Sequence, residues 1–153
     1  MPHLRLQVPE EWLREEFKRA SGFDAKKLLD HLVQVVAKLD MENPASPGTT
    51  VPLINLSNLK HAIEPLHYAH VAGDPAKRFL HITLAAGNET QGRTAEVRRR
   101  AAETLGEQAD KFVGNLPGLA SLTVQVLDID RERGYSTTAE RKRKREQEEL
   151  KVP

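Results

Sequence analysis

The sequence predicts an α/β sandwich: two β-α-β units side by side, with two helices packed on one face of a four-stranded mixed sheet. Two observations carry this. Apolar residues recur at spacings of three and four over two long stretches, 24–39 and 94–114, and strand-like runs fall at 2–8, 59–71, 79–86 and 122–126. The order is therefore strand-helix-strand, loop, strand-helix-strand. Two helices cover only one face of such a sheet. Apolar residues expected on the other face then require a cover, and oligomerisation supplies one.

Residues 2–8 alternate, with Leu4, Leu6 and Val8 on one side and His3, Arg5 and Gln7 on the other, so a strand opens the chain. Pro9, Glu10 and Glu11 suit a short helical turn, because proline fits a first helical position and acids favour the positive end of the helix dipole. Ser21-Gly22 ends it. Asp24 is the expected N-cap of a helix to about Leu39, with the stripe Leu28, Leu29, Leu32, Val36 and Leu39. Residues 42–53 carry Pro44, Pro47, Gly48 and Pro52 and read as a loop. Residues 59–71 read as extended, and Pro65 within them points to a sheet edge or a bend. Gly73-Asp74-Pro75 reads as a turn.

Residues 79–86 are nearly all apolar, with β-branched Ile82 and Thr83, the pattern of a buried central strand. A loop at 87–92 follows. Thr94 caps the second long helix, whose expected stripe is Val97, Ala101, Leu105, Ala109 and Phe112. After a turn at 115–118, Leu122, Val124 and Val126 alternate as the last strand. The parity then shifts to Leu127 and Ile129, which predicts a bulge. From Arg131 the chain is polar, so 1–130 reads as the folded domain and 131–153 as a charged tail.

The chain has 153 residues, enough for one domain with a real core, and its 39% apolar and 29% charged content is that of a globular protein. No apolar run approaches the roughly 20 residues needed to span a membrane, and the start shows no cationic segment followed by an apolar one. Cysteine is absent, which removes disulfides, thiolate catalysis and cysteine-zinc sites together. The cytoplasm is the expected address. A formal net charge of +1 favours neither nucleic acid nor an acidic partner. Arg141-Lys142-Arg143-Lys144-Arg145 is a block of cations, but Glu146, Glu148 and Glu149 nearly cancel it, so a solvated tail with i,i+4 charge pairing is expected.

Pro2 is the first candidate for chemistry. Removal of Met1 would expose a secondary amine on rigid backbone at the start of a strand. Neighbouring cations and apolar walls both disfavour its protonated form, which brings a prolyl nitrogen toward the range of a general base. With Met1 retained, the same nitrogen is a tertiary amide and cannot act. The histidines offer no metal site: His67 and His70, three apart in an extended segment, would point to opposite faces. His81 reads as a hydrogen-bonded core residue. No zinc spacing, phosphate loop, Gly-x-Ser-x-Gly or carboxylate pair is present.

Met-Pro-His opening a strand, Phe79-Leu80-His81-Ile82-Thr83-Leu84, Gly92-Arg93-Thr94 leading into the long helix, and Ala120-Ser121-Leu122-Thr123-Val124-Gln125-Val126 form one pattern. It resembles the 5-carboxymethyl-2-hydroxymuconate isomerase family of the tautomerase superfamily, over residues 2–130. The resemblance implies a homotrimer of paired β-α-β units and a role in aromatic compound catabolism. It also implies that Pro2 shuttles a proton between the enol and a carbon of a dicarboxylate or tricarboxylate substrate. Arg93 would grip a substrate carboxylate, a task suited to the guanidinium fork and to the adjoining helix amino terminus. The family's second arginine, in the middle strand, has no counterpart here. Lys60 is the nearest cation, and it offers a point charge without the fork. The loop before Arg93 is also longer than the family's usual turn.

The leading expectation is thus a keto-enol isomerase acting without cofactor or metal, with Pro2 as acid/base and Arg93 and Lys60 as anion grips. A non-catalytic trimeric member of the same fold, binding a partner through residues 139–150, is the alternative. An RNA-binding module using that tail stands third, because one Trp, two Tyr and four Phe offer few stacking platforms.

Overall fold

The computed structural model describes residues 2–87, 93–129 and 138–150. Most of the expected 87–92 loop and the first part of the expected tail therefore lie outside the described residues.

Strand β1 (His3–Pro9) leads into a 3₁₀ turn, Glu10–Leu13, and helix α1 (Glu15–Ser21). The single helical turn expected here is two, because Arg14 is extended at φ −77° and ψ 146°. Gly22, at φ 75°, ends α1 in the left-handed conformation that glycine adopts without a Cβ penalty. Trp12 stacks on Phe17 with ring centroids 5.1 Å apart, and Phe23 meets both edge-on. Helix α2 (Ala25–Lys38) starts where expected: the Asp24 carboxylate accepts from the backbone N–H groups of Lys26 and Lys27.

Strands β2 (Asp40–Glu42) and β3 (Thr50–Pro52) pair as a small antiparallel ribbon, which corrects the expectation of a loop throughout 42–53. The prolines sit where a ribbon tolerates them: Pro44 and Pro47 between the strands, Pro52 at the last position of β3. Strand β4 (Lys60–Leu66) is a sheet edge, and Pro65 lies in it opposite Val8, as the edge reading required. Tyr68, at φ 56°, then breaks the extended stretch before β5 (His70–Val71). The alternation argument for His67 and His70 fails at that break. Among the described residues no three His, Asp or Glu side chains are grouped to hold a metal.

Strand β6 (Asp74–Gly87) begins well before Phe79, and its first residues form the hairpin with β5. Helix α3 (Ala95–Val113) is capped by the Thr94 hydroxyl, which accepts from Val97 N at 3.2 Å. Its buried stripe is Ala101, Leu105, Ala109 and Val113. A spacing of four is kept to the end, so Phe112 is left 41% exposed and tilts against the His31 ring instead of entering the core. Strand β7 (Leu119–Ile129) pairs with β6 without a break from Phe79↔Ser121 to Gly87↔Ile129. The expected bulge is therefore not at Leu127; the irregularity lies at the other end, between Arg78 and Phe79.

The long strands run in the order β4-β1-β6-β7, with β5 on the β1 side of β6. β1 and β4 are parallel, as are β6 and β7, and the two units meet antiparallel at β1 and β6. This is the predicted pair of β-α-β units. Helix α2 packs on β1 and β4, and α3 on β7 and α2. Leu4, Leu6, Leu80, Ile82 and Leu84 are fully buried against Leu28, Leu32, Val36 and Leu105. Each such side chain contributes about 1.5–3 kcal/mol relative to exposure.

The uncovered face carries the polar side chains Arg5, Gln7, Glu64, His81, Thr83, Thr123 and Gln125, and with them the apolar residues Ala62, Phe79, Ala85 and Leu127, which keep the same parity. The apolar residues expected there are thus present but fewer than the polar ones, because Leu4, Leu6, Leu80, Ile82, Leu84, Leu122, Val124 and Val126 fall on the helix side. Helix α4 (Thr138–Glu149) holds the cation block. Residues 141–150 are exposed, and Lys142 meets Glu146 at 4.0 Å, one turn on. No helix among the described residues is long and apolar enough to cross a membrane.

Candidate active site

Pro2 is buried immediately before β1, and its carbonyl accepts from Lys60 N at 3.0 Å. That bond extends the parallel β1/β4 ladder, in which His3 is paired with Lys60 and Arg5 with Ala62. Of the residues expected to act, Pro2 and Lys60 are thus brought together by backbone pairing. The start of β1 also lies beside the end of β6, since His3 pairs with Ala85, and beside the end of β7, where Ala86 pairs with Asp128. Arg98 of α3 forms an ion pair with Asp128 and donates from Nη1 to the carbonyl of Arg93 at 3.1 Å. The start of α3 is thereby fastened to the same end of the sheet. Pro2, Lys60 and Arg93 share that end.

Arg93 faces the helix-covered side of it. Its Nε and Nη2 donate to the carbonyl of Leu53, at 3.1 and 2.8 Å. Leu53 is itself buried and holds Leu39 through a 2.8 Å backbone bond. Below this contact a cavity of about 300 Å³ is lined by Leu53, Val97, Ala101 and Thr104, with Lys38 and Arg100 at its charged margin. The guanidinium expected to grip a ligand thus also ties the start of α3 to the segment after β3.

On the open side, a cavity of about 500 Å³ runs along the β1/β4 seam, lined by His3, Arg5, Lys60, His61 and Glu64 among others. Glu64 is held by Gln7, which donates from Nε2 at 3.0 Å, and by Arg5 Nε at 3.4 Å. The next strand continues the row, with His81 Nδ1 hydrogen-bonded to the Thr123 hydroxyl. His81 is therefore hydrogen-bonded as expected, but on the uncovered face and not in the core. Burial, then the positive charges of Arg5 and Lys60, hold the His3 imidazole below its ordinary value of 6.5.

Sequence reasoning missed His3 and Arg5. The signal was present, since alternation put both on one face with Gln7, but only the register of β4 brings Lys60 and Glu64 alongside them. Among the other histidines, His67 pairs with Glu10 at 2.8 Å at the far end of the sheet.

No family model matches the sequence. A stretch of 104 residues is 32% identical to a probable cytosol aminopeptidase of Chromohalobacter salexigens, covering 60% of this chain and 20% of that protein. The chain thus matches only a fifth of the length of this curated relative. Among solved structures, it is similar to a 5-carboxymethyl-2-hydroxymuconate delta-isomerase, with a TM-score of 0.61 at 19% identity, over 90% of this chain and 87% of that one. It is similar to a 5-carboxymethyl-2-hydroxymuconate isomerase from Deinococcus radiodurans R1, with a TM-score of 0.58 at 17% identity, over 89% and 88%. A fused 4-OT symmetric trimer matches with a TM-score of 0.53 at 14% identity, over 89% and 93%.

The chain has the fold of the tautomerase superfamily. Within that fold, the neighbours include the isomerase family that the sequence motifs resemble.

Proposed function

We propose that this chain is a cofactor-independent keto-enol tautomerase acting on a carboxylate-bearing dienol of the 5-carboxymethyl-2-hydroxymuconate type. The observation that supports it is the setting of Pro2: buried at the head of β1, bonded to Lys60, beside a cation-lined cavity. With Met1 removed, the Pro2 amine accepts the enol proton. The O–H bond breaks, its electrons form the carbonyl, and the double bonds shift along the chain. The prolyl ammonium then returns the proton to a substrate carbon, so no redox partner or cofactor is required. Lys60 and Arg93 stabilise the carboxylates and the dienolate charge between those steps. The likeness to a symmetric 4-OT trimer supports a homotrimer.

One observation favours the non-catalytic alternative: Arg93 already has a structural partner in Leu53. Two measurements separate the readings. Intact mass shows whether Met1 is removed, and turnover of 2-hydroxymuconate-type dienols shows whether the free amine acts. Loss of kcat by about 10²-fold or more in Pro2→Ala is expected for a positioned acid/base. A Met1-free protein that turns over no dienol would establish the alternative.

A further inference from the structure

The cavity of about 300 Å³ on the helix-covered side lies between the end of α2 and the first half of α3, clear of the open sheet face. Leu39, Leu53, Val97 and Ala101 give it apolar walls, and Lys38, Asp40 and Arg100 stand at its margin. Its size is at the low end of ligand pockets, which run from about 300 to 1,000 Å³. That suits a small ligand and not a nucleotide.

The margin carries both signs of charge. Lys38 is the last residue of α2 and Asp40 the first of β2, with Leu39 between them packed on the core. Neither charged side chain has an ion pair or hydrogen bond among the described residues. Arg100 is paired there with Glu96 alone, at 3.7 Å on its own helix. The backbone adds to this division. The negative end of the α2 dipole is at Lys38, and the positive end of α3 includes Val97, in its first turn. A simple carboxylate in the cavity would be opposed by Asp40, and a purely apolar ligand would leave all three charges unused. A ligand with both charges and a short apolar tail uses every wall.

We infer that this cavity binds a free aliphatic α-amino acid. Its ammonium lies toward Asp40 and the end of α2, its carboxylate toward Lys38, Arg100 and the start of α3, and its side chain among Leu53, Val97 and Ala101. The occupant is also felt at Arg93. Leu53 donates to the Leu39 carbonyl at 2.8 Å, and its own carbonyl accepts from Arg93 Nε and Nη2. A side chain seated against Leu53 therefore bears on the anchor of Arg93. The site is separate from the chemistry proposed at Pro2, and its occupancy does not depend on that reading.

Binding is measured by calorimetry on the full chain, with no dienol present. Leucine is compared with isocaproate, which lacks the ammonium, and with isopentylamine, which lacks the carboxylate. Leucine should bind, and each analogue should bind about tenfold or more weakly. Asp40→Asn should weaken leucine by a similar factor while isocaproate binds no worse. Lys38→Met combined with Arg100→Met should weaken leucine while isopentylamine binds no worse. All three positions are exposed, and a damaged fold cannot produce that crossed pattern. Bound leucine should also move the Arg93 Nε–H resonance. No leucine binding, the result for charges that are merely solvated, would overturn the inference. So would isocaproate binding as tightly as leucine, which would make the occupant a plain fatty carboxylate. Equal losses for all three ligands in either variant, or an Arg93 resonance unmoved by bound leucine, would overturn it as well.

Discussion

The Arg93 guanidinium and the Leu53 carbonyl are joined by two hydrogen bonds, from Nε at 3.1 Å and Nη2 at 2.8 Å. This one contact links the start of α3 to the segment that follows the β2/β3 ribbon. Arg93 therefore has a part in stability as well as any part in binding. Replacing it by Lys keeps the charge and removes the planar fork. Arg93→Lys is expected to cost about 1–3 kcal/mol in denaturant unfolding, besides any rise in KM. A substitution that raised KM with unchanged stability would show that the Leu53 contact contributes nothing.

The start of α2 allows a second prediction. Asp24 caps two backbone N–H groups and meets Lys18 Nζ at 3.0 Å. Asp24→Ala should cost about 1 kcal/mol, and Asp24→Asn less, since asparagine still caps. The Lys18 hydrogen bond, aided by the capping N–H groups, holds the Asp24 carboxyl below its ordinary value of 3.8. The folded state thus binds this proton less readily than the unfolded state. Its contribution is present above about pH 4 and is lost as pH falls through the folded value. Acid unfolding curves of the native protein and Asp24→Asn should converge at low pH.

His3 gives the opposite case of a base. Its imidazole is held below 6.5, so the unfolded chain takes up the proton first. Stability from this group is complete above that value and falls as pH drops from it toward the folded value. The His3 ring resonance should titrate below 6.5 in the folded protein. Arg5→Met should move its midpoint upward, because the Arg5 charge is among the causes of the depression. A midpoint unaffected by that change would show that burial alone sets it.

Deleting residues 139–153 should leave assembly unchanged and stability within about 0.5 kcal/mol, because the side chains at 141–150 are solvated. Light scattering and thermal unfolding of the truncated protein check both. A truncated chain that no longer assembles would place α4 in a subunit contact.

The core responds differently. Leu105 is fully buried between α3 and the sheet, so Leu105→Ala should cost about 2–5 kcal/mol in equilibrium unfolding, through lost transfer energy and the cavity left behind. A loss below about 1 kcal/mol would mean that the neighbouring side chains collapse into the space.

What the sequence by itself determined was whatever depends on near neighbours in the chain. The period of Leu28, Leu32 and Val36, the caps at Asp24 and Thr94, and the alternation of Leu4, Leu6 and Val8 follow from side-chain direction and from backbone donors that need a partner at a helix start. The end of α3 was misread for the same local reason: Phe112 is the larger apolar residue, but Val113 keeps the spacing that faces the sheet. The β2/β3 ribbon was hidden because three prolines signal a loop until two short strands are seen to leave Pro44 and Pro47 between them and Pro52 at the end of β3, opposite Asp40.

The candidate site was only partly legible, since Pro2 and Arg93 stand in motifs, but no motif says which side chains meet across strands. Only tertiary structure decided that Arg5 lies beside Lys60 and that Arg93 reaches Leu53. Each of these contacts joins residues about 40 or more positions apart. Such contacts depend on strand register, and a shift of one residue would send every side chain of β4 to the other face. Register is fixed by the whole core closing at once, with Ile63 turned toward α2 and Glu64 toward Gln7 and Arg5.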